Sequence, residues 1–372
     1  MSGSPDPAFR ALVAGAADGA GTARALWRRL GQAGALDRLR EAGPGAAVDA
    51  GLLDDLLAEL DARLPPGLVL SVCVQVATVI PLLRTAAAVS PLAAEVLAGA
   101  LRGETIVALA ATDAGAAGSA LLDARTELRT EGAAVLLDGG KDWITNACHC
   151  DHALVLARRR PARHFTSFSW ALVPAGRQGV SCLPATAEHF TGAGLGHLRF
   201  AAVSLGPAHV VGRPGRALAE FALQIGTERL AGALWARALC RRVLAETRDH
   251  LRRRPLGEGT LWDNAAVRER FARCLVEWRG LDALCAAQRV DPGPTSASMA
   301  LKAACAEGVD RILGGCVELR GADAFRDGGL AGLRAQTAMF GIAGGATGAM
   351  LAGVADHADE LLGLVGERDL KH

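Results

Sequence analysis

The segment AATDAGAAGS (Ala110–Ser119) combines small residues at a spacing suited to a phosphorylated ligand. Gly115, Gly118 and Ser119 form a turn whose backbone and hydroxyl can approach a pyrophosphate or a thioester without obstruction by side chains. We therefore expect this segment to line a ligand site.

A second segment, GGKDWITN (Gly139–Asn146), could hold a planar ring. The indole of Trp143 offers such a ring a flat apolar face, and Thr145 offers a hydroxyl at its edge. Each residue alone has an ordinary explanation, as a core tryptophan or a strand threonine. The prediction therefore depends on the joint spacing of the two segments.

Metal and hydrolase chemistry have little support in the sequence. The run Cys148-His149-Cys150-Asp151 contains metal-ligand side chains, but one Cys-x-Cys without a second ligand pair is weak, so we predict no metal. Ser119 has no His and Asp pair nearby, which leaves a catalytic triad without support.

Composition narrows the class of protein. A chain of 372 residues that is 51% hydrophobic and 21% charged is long and apolar enough for two or three packed domains. A net charge of +1 gives no field that would favour nucleic acid or an anionic membrane. Nine scattered cysteines and no N-terminal signal pattern favour the cytoplasm.

The most apolar run, Gly67–Leu83, is interrupted by Gln75 and Pro81. It falls short of the roughly 20 apolar residues that a membrane-spanning helix needs. We predict a buried core helix here and no membrane contact.

Three parts follow one another along the chain. Apolar residues recur at helical spacing up to about Arg102, and short β-rich runs separated by Gly, Pro and Asp then continue to about Arg213. The runs predicted as strands are TIVALAAT, AAVLLDG, DHALVLARR, SFSWALVPA, HLRFAAVSL and HVVG. The β-rich part indicates a small barrel or sandwich, and the long helical stretches after it fit a four-helix bundle. We therefore predict an α+β protein with an N-terminal α-helical domain over residues 1–104, a middle β-domain over 105–215 and a C-terminal helical bundle over 216–372.

This order of parts, together with the two segments, resembles the acyl-CoA dehydrogenase family. The segments read there roughly as T-E-P-G-A-G-S and G-x-K-x-W-I-T-N-G. Three later segments extend the resemblance: RRPLGE is similar to R-x-x-F-G, CVELRGADAF to Q-x-x-G-G-x-G-F, and GIAGGATGAM to I-Y-E-G-T-S-E-I. The resemblance implies the family's three-domain fold, FAD as cofactor and a homo-oligomer, a dimer or tetramer, because the family completes each FAD site across subunits.

The resemblance also assigns residues to the flavin ring. Thr112 would reach the polar edge of the isoalloxazine, Trp143 would cover its face, and Thr145 would lie near N5, the atom that receives hydride in this family. Gly118 and Ser119 would form the turn beside them.

At the nucleotide end of the cofactor the match is looser. Arg253 stands where the family has an arginine that reaches the flavin diphosphate of a neighbouring subunit, a role suited to a guanidinium fork. Asn264 and Glu318 each stand where the family has Gln, and Gly321 keeps the first glycine of its Gly-Gly pair. The Glu318 carboxylate would face phosphate unless another group pairs with it.

The catalytic base departs from the commonest family pattern. Most members use a Glu in the terminal motif to remove the α-proton of an acyl thioester, and here that place is Gly344. Members that resemble the long-chain and isovaleryl dehydrogenases place the base in an earlier E-R-L sequence, which Glu228 and Arg229 match. We predict Glu228 as the base, with a pKa raised by burial, and the Gly344 N–H as a donor to the thioester carbonyl. Arg229 and Ala343 are predicted to bind substrate.

The expected reaction is α,β-desaturation of an acyl thioester carried by CoA or by an acyl carrier protein, as in family members of polyketide or other specialised biosynthesis. Reduced flavin would pass its electrons to an electron-transfer flavoprotein or to oxygen. Two alternatives stay open. The chain could be a degenerate or partner-dependent subunit of a heteromeric complex, or a flavin monooxygenase of the same fold, which lacks the base. Glu228 would then be an ordinary solvated helix glutamate.

Overall fold

A computed structural model describes residues 5–40, 48–115, 121–187 and 189–364 of the chain. The chain divides into two compact units, of which the first ends at Glu228 and the second begins at Arg229. The division falls inside one helix of 37 residues, α8 (Ala217–Arg253).

The first unit opens with helices. Four of them begin at an N-cap side chain that accepts a backbone hydrogen bond from the first turn, namely Asp6, Thr22, Asp49 and Ser90. The helices are α1 (Pro7–Ala17), α2 (Ala23–Gln32), α3 (Ala35–Arg38), α4 (Ala50–Arg63), α5 (Pro66–Val74), α6 (Ile80–Ala87) and α7 (Pro91–Leu101).

Helices α5 and α6 are joined by a π-helical turn, Gln75–Val79. The resulting run of 22 residues, Pro66–Ala87, is long and apolar enough to cross a membrane by length and composition alone. However, 89% of its most apolar window is buried inside the protein. The predicted buried core helix is therefore confirmed.

Among the described residues of the first unit, eight strands pair into one sheet in the order β6-β7-β3-β2-β4-β5-β8, with β1 added to β4 in parallel. Two of them, β2 and β6, were not predicted. The first is the charged sequence ELRTE, and the second is a short strand at the edge of the sheet, so neither shows a strong apolar pattern. The strands are β1 (Val107–Ala110), β2 (Glu127–Glu131), β3 (Ala134–Ile144), β4 (His152–Arg158), β5 (Phe168–Pro174), β6 (Val180–Pro184), β7 (Gly196–Leu205) and β8 (Val210–Val211).

One buried core of the first unit lies between the helices and this sheet. Leu82 and Leu83 of α6 and Val96 of α7 pack in one buried cluster with Phe168 and Trp170 of β5. Burial of large aromatic and aliphatic side chains contributes most of the free energy that holds such layers together. This packing fixes the helices against the sheet whose strands β1 and β3 carry the two segments identified in the sequence.

The second unit is helical. After the remainder of α8 come a short hairpin and two further long helices, and the shorter α11 and α12 pack against α10. The indole of Trp278 on α9 donates to the Arg237 carbonyl of α8 at 3.1 Å. The elements are β9 (Pro255–Leu256), β10 (Gly259–Thr260), α9 (Ala265–Val290), α10 (Thr295–Arg320), α11 (Leu330–Thr337), α12 (Thr347–Asp356) and α13 (Ala358–Leu361).

The predicted order of helical, β and helical parts is confirmed. The bundle differs from four long helices, because the chain after α10 is broken into short helices by glycines such as Gly329, Gly344 and Gly345. The domain boundaries after residues 104 and 215 stay predictions.

Candidate active site

The two segments singled out in the sequence lie side by side in the first unit. Although residues 120–138 separate them, the N–H of Asp142 donates to the Thr112 carbonyl at 3.2 Å and the N–H of Ala114 donates to the Gly140 carbonyl at 2.9 Å. Thr112 is half-buried at this junction. Gly118 and Ser119 lie outside the described residues, so their predicted roles stay predictions.

A buried ion pair fastens the junction. The ammonium of Lys141, fully buried, contacts the carboxylate of Asp113 and donates to the Ala111 carbonyl at 2.9 Å. Burial lowers the pKa of Lys141 to about 8, although the negative charge of Asp113 acts to raise it. Burial alone would raise the pKa of Asp113, but the Lys141 charge and hydrogen bonds, including one from Thr126, bring it below its ordinary value. The pair therefore holds the end of β1 against β3.

Trp143 is presented to solvent at the end of β3. The β3–β7 pairing changes register between Lys141 and Ile144, and Trp143 adopts a φ of 58° in this bulge. A positive φ is costly for a bulky residue, and bulges of this kind re-aim side chains beside binding sites. The indole is 60% exposed, an unusual fraction for the largest apolar side chain. It is therefore available to cover a ligand ring, and Thr145, half-buried, follows it.

His197 on β7 supports this indole from the side. The two rings meet edge to face with centroids 5.2 Å apart. The Asp142 carboxylate accepts from His197 Nδ1 at 2.9 Å and from Arg199 at 2.8 Å, and it also accepts from the Gly115 N–H at 3.3 Å. Burial by itself would raise the pKa of Asp142, but the hydrogen bonds from Arg199 and His197 lower it below its ordinary value. Asp142 thus ties the glycine turn to the tryptophan.

Sequence reasoning did not find His197 or Asp142. His197 is 54 positions from Trp143 and reaches it only because β7 pairs with β3, with Leu198 opposite Lys141. Asp142 directly precedes Trp143, but the local sequence carries no signal of its contacts with His197 and Arg199.

The run Cys148-His149-Cys150-Asp151 is engaged with protein groups. The ring of His149 contacts Asn146 Oδ1 at 2.9 Å, and Asp151 pairs with Arg24 at 3.0 Å. Within the described ranges, no group of three metal-ligand side chains comes together.

Glu228 is half-buried on α8 within the first unit. Its Oε2 accepts a hydrogen bond from Thr78 Oγ1 at 3.1 Å, and Thr78 lies fully buried in the π-helical turn. Burial, together with the negative charge of Glu228, raises the pKa of the Cys73 thiol to about 12. Glu228 is therefore packed against an apolar helix, unlike an ordinary solvated glutamate.

Arg229 begins the second unit and points into the bundle. Its side chain is buried, and the guanidinium donates to the Gly344 carbonyl at 3.2 Å and to Ser298 Oγ at 2.9 Å. Gly344 adopts a φ of 73°, which favours glycine, and Ala343 before it is exposed. Through its hydrogen bond to Gly344, Arg229 stabilises the loop that contains Ala343 and Gly344. Its predicted contact with substrate stays a prediction.

The four residues predicted at the nucleotide lie on helix ends or helix surfaces of the second unit. Arg253 is exposed at the end of α8 and makes no hydrogen bond or ion pair with the described residues, so its guanidinium can bind an anion. Asn264 caps α9 by accepting from Ala266 N at 2.9 Å. Gly321 ends α10 with a φ of 58°.

Glu318 was the one predicted position whose charge opposes phosphate. Its carboxylate pairs with Arg270 on the neighbouring α9 at 3.6 Å, and both side chains are mostly exposed. A partner of opposite charge offsets part of the repulsion that a phosphate would meet, and solvent screens both charges. Each unit, taken by itself, offers a group that suits part of a dinucleotide flavin: the exposed indole of Trp143 suits its ring, and the exposed guanidinium of Arg253 suits a phosphate.

Comparisons with known proteins agree with this geometry. The family model "Acyl-CoA dehydrogenase, middle domain" matches residues 108–203, and "Acyl-CoA dehydrogenase, C-terminal domain" matches residues 218–358. The chain is similar in structure to an acyl-CoA dehydrogenase from Geobacillus kaustophilus, with a TM-score of 0.85, 19% identity and coverage of 95% of this chain and 96% of that one.

Two further solved structures have the same fold. The FAD complex of PigA gives a TM-score of 0.83 at 18% identity, over 98% of this chain and all of that one. A glutaryl-CoA dehydrogenase from Mycobacterium smegmatis in complex with FADH2 gives a TM-score of 0.80 at 18% identity, over 97% of this chain and 95% of that one. Since the two family models together span most of its length, the chain belongs to the acyl-CoA dehydrogenase family.

Proposed function

We propose that the protein is an FAD-dependent oxidoreductase that introduces an α,β-double bond into an acyl thioester. The observation that carries the proposal is the half-buried carboxylate of Glu228, held by Thr78 on an apolar helix. Catalytic carboxylates are characteristically set in apolar surroundings, where the environment tunes their basicity. Family membership and the exposed Trp143 support the cofactor.

The chain's residues have distinct tasks in this reaction. Glu228 takes the proton from the α-carbon and keeps it on its carboxylate. Bound FAD supplies the two-electron acceptor for the hydrogen that leaves the β-carbon as hydride. The N–H of Gly344 would donate to the thioester carbonyl, where negative charge develops, and this needs no side chain. Small residues at Ala343 and Gly344 would leave room for a branched or bulky acyl group.

Two sets of residues would hold the cofactor. Thr112, Trp143 and Thr145 would contact the ring, with Gly118 and Ser119 in the turn beside it. At the nucleotide, a planar guanidinium suits diphosphate oxygens. The residues assigned there are Arg253, Asn264, Glu318 and Gly321.

Partners follow from the same proposal. The substrate would be a thioester of CoA or of an acyl carrier protein, and the electrons would go to an electron-transfer flavoprotein or to oxygen. We propose a homodimer or homotetramer, because Arg253 would serve the FAD of a neighbouring subunit. A cytoplasmic location and a biosynthetic role complete the proposal.

The first experiment is the visible absorption spectrum of the purified protein, before and after denaturation. We expect about one FAD per chain, and bleaching of its absorbance when acyl thioesters are added. A protein that stays colourless after incubation with FAD would contradict the proposal. Flavin gained only on co-expression with another dehydrogenase would identify a partner-dependent subunit instead.

The second experiment tests the base. Glu228→Gln should keep the flavin but slow bleaching by roughly 10²- to 10⁴-fold, the usual contribution of a general base. Glu220→Gln is the matched control, because Glu220 is also half-buried on α8, two turns earlier. Equal bleaching rates in the two variants would remove Glu228 from the mechanism.

A further inference from the structure

The π-helical turn between α5 and α6 carries a buried hydroxyl. Thr78 is fully buried, and its neighbours Ala77, Val79 and Ile80 are apolar. A buried hydroxyl without a partner is costly, and a helical threonine can satisfy it by donating to the carbonyl four residues earlier, as Thr85 does with Pro81. The Thr78 hydroxyl donates to the Glu228 carboxylate at 3.1 Å.

The turn itself is anchored to the sheet. Gln75, also buried, accepts from the Val107 N–H at 3.4 Å and donates back to the Val107 carbonyl. The Ile80 N–H reaches the Gln75 carbonyl five residues earlier, which is the hydrogen bond that defines the π turn. The extra residue of such a turn shifts the faces of the helix that follow it, and π turns occur frequently at functional sites.

The hydrogen bond to Glu228 fixes the direction of the Thr78 hydroxyl. A threonine in a helix has two favoured χ1 rotamers, and the bond to the carboxylate is made in one of them. The Cys73 thiol, on α5, has a pKa raised by burial to about 12 and stays protonated near neutral pH. Arg229, next to Glu228 along α8, is directed to Gly344 and Ser298.

We propose that Thr78 is a positioning residue for Glu228: its hydroxyl fixes the rotamer of the carboxylate and stabilises the ionised form that accepts the substrate proton. This inference rests on the proposed function, in which Glu228 is the base. A hydrogen bond donated to a carboxylate favours its charged state. Without it, the carboxylate would hold a proton to higher pH and would sample other rotamers.

The test compares three variants of the flavin-loaded protein. Thr78→Val keeps the shape and removes the donor, and Thr78→Ser keeps the donor. Thr85→Val is the matched control, because Thr85 lies on α6 and donates to the Pro81 carbonyl at 3.1 Å without contact to Glu228. In flavin reduction by an acyl thioester, the acid limb of the kcat/KM profile should rise by about one pH unit in T78V. T78S and T85V should keep the wild-type limb.

A second readout needs no turnover. Infrared difference spectra between protonated and ionised states follow the Glu228 carboxyl, whose band is identified by its loss in E228Q. Its titration midpoint should rise by about one pH unit in T78V and be restored in T78S. A midpoint in T78V equal to that in T85V would overturn the inference while leaving the base assignment intact.

Failure of the proposed function would look different. If no acyl thioester reduces the wild-type flavin, or if E228Q reduces as fast as wild type, the base assignment fails. The infrared titration still decides whether Thr78 controls the ionisation of this carboxylate.

Discussion

Replacement of Lys141 by Met tests whether the buried ion pair between Lys141 and Asp113 holds the end of β1 against β3. The side chains of Lys141 and Asp113 are 0% and 5% exposed, so the substitution leaves a carboxylate buried without its counter-charge. Breaking a buried pair by removing one partner costs about 3–5 kcal/mol of the free energy of unfolding. Urea unfolding followed by far-UV circular dichroism measures this loss.

The pH dependence of the loss identifies its cause. In the wild type the pKa of Asp113 is lowered, so its stabilisation is present above the unfolded-state pKa and is lost as pH falls through the folded value. In K141M that pKa rises, because the Lys141 charge that opposes burial is gone. The destabilisation should therefore shrink as pH falls from about 7 to about 4, by about 1.4 kcal/mol for each unit by which the pKa of Asp113 in K141M exceeds about 4.

Arg129→Met is the matched control on the same sheet. Arg129 pairs with Asp138 across β2 and β3 at 2.6 Å, but the two side chains are 49% and 30% exposed. A pair in contact with solvent contributes about 0–1 kcal/mol. Equal losses in K141M and R129M, or a loss in K141M that does not change with pH, would refute the reasoning.

Two further predictions concern the cofactor edge and the loop after α10. His197→Ala removes the edge-to-face contact with Trp143 and should weaken FAD binding by roughly 2- to 10-fold, which is the usual effect of losing an aromatic pair. W143A should weaken FAD binding further. A fluorescence titration in which both variants bind FAD as tightly as wild type would contradict this prediction. Gly345→Ala should lower the free energy of unfolding by about 1–3 kcal/mol, because Gly345 has a φ of 117° and its Cβ would lie 2.6 Å from Met350. Gly348→Ala, in open space on α12, should be neutral or stabilising by up to about 1 kcal/mol in the same urea assay.

The fold was largely predictable because its signals are local. Apolar spacing predicted the buried helix of Gly67–Leu83 and the long helices of the bundle, and turn residues separated the strands. The strands that were missed, β2 and β6, are stabilised by neighbours and carry little pattern of their own. The single connected sheet could not be read from the sequence either, since strand order is a property of pairing between distant segments.

The candidate site was predictable only in part. The sequence by itself indicated Trp143 through its joint spacing with the glycine segment, and the resemblance of short segments to the family led to Glu228 and Arg253. Which groups surround them was decided by the tertiary structure: His197 reaches Trp143 across paired strands, and Thr78 reaches Glu228 from a position 150 residues earlier. Such partners carry no local signal, since a hydrogen bond between distant segments depends on how the chain folds and on which side chains burial leaves facing one another.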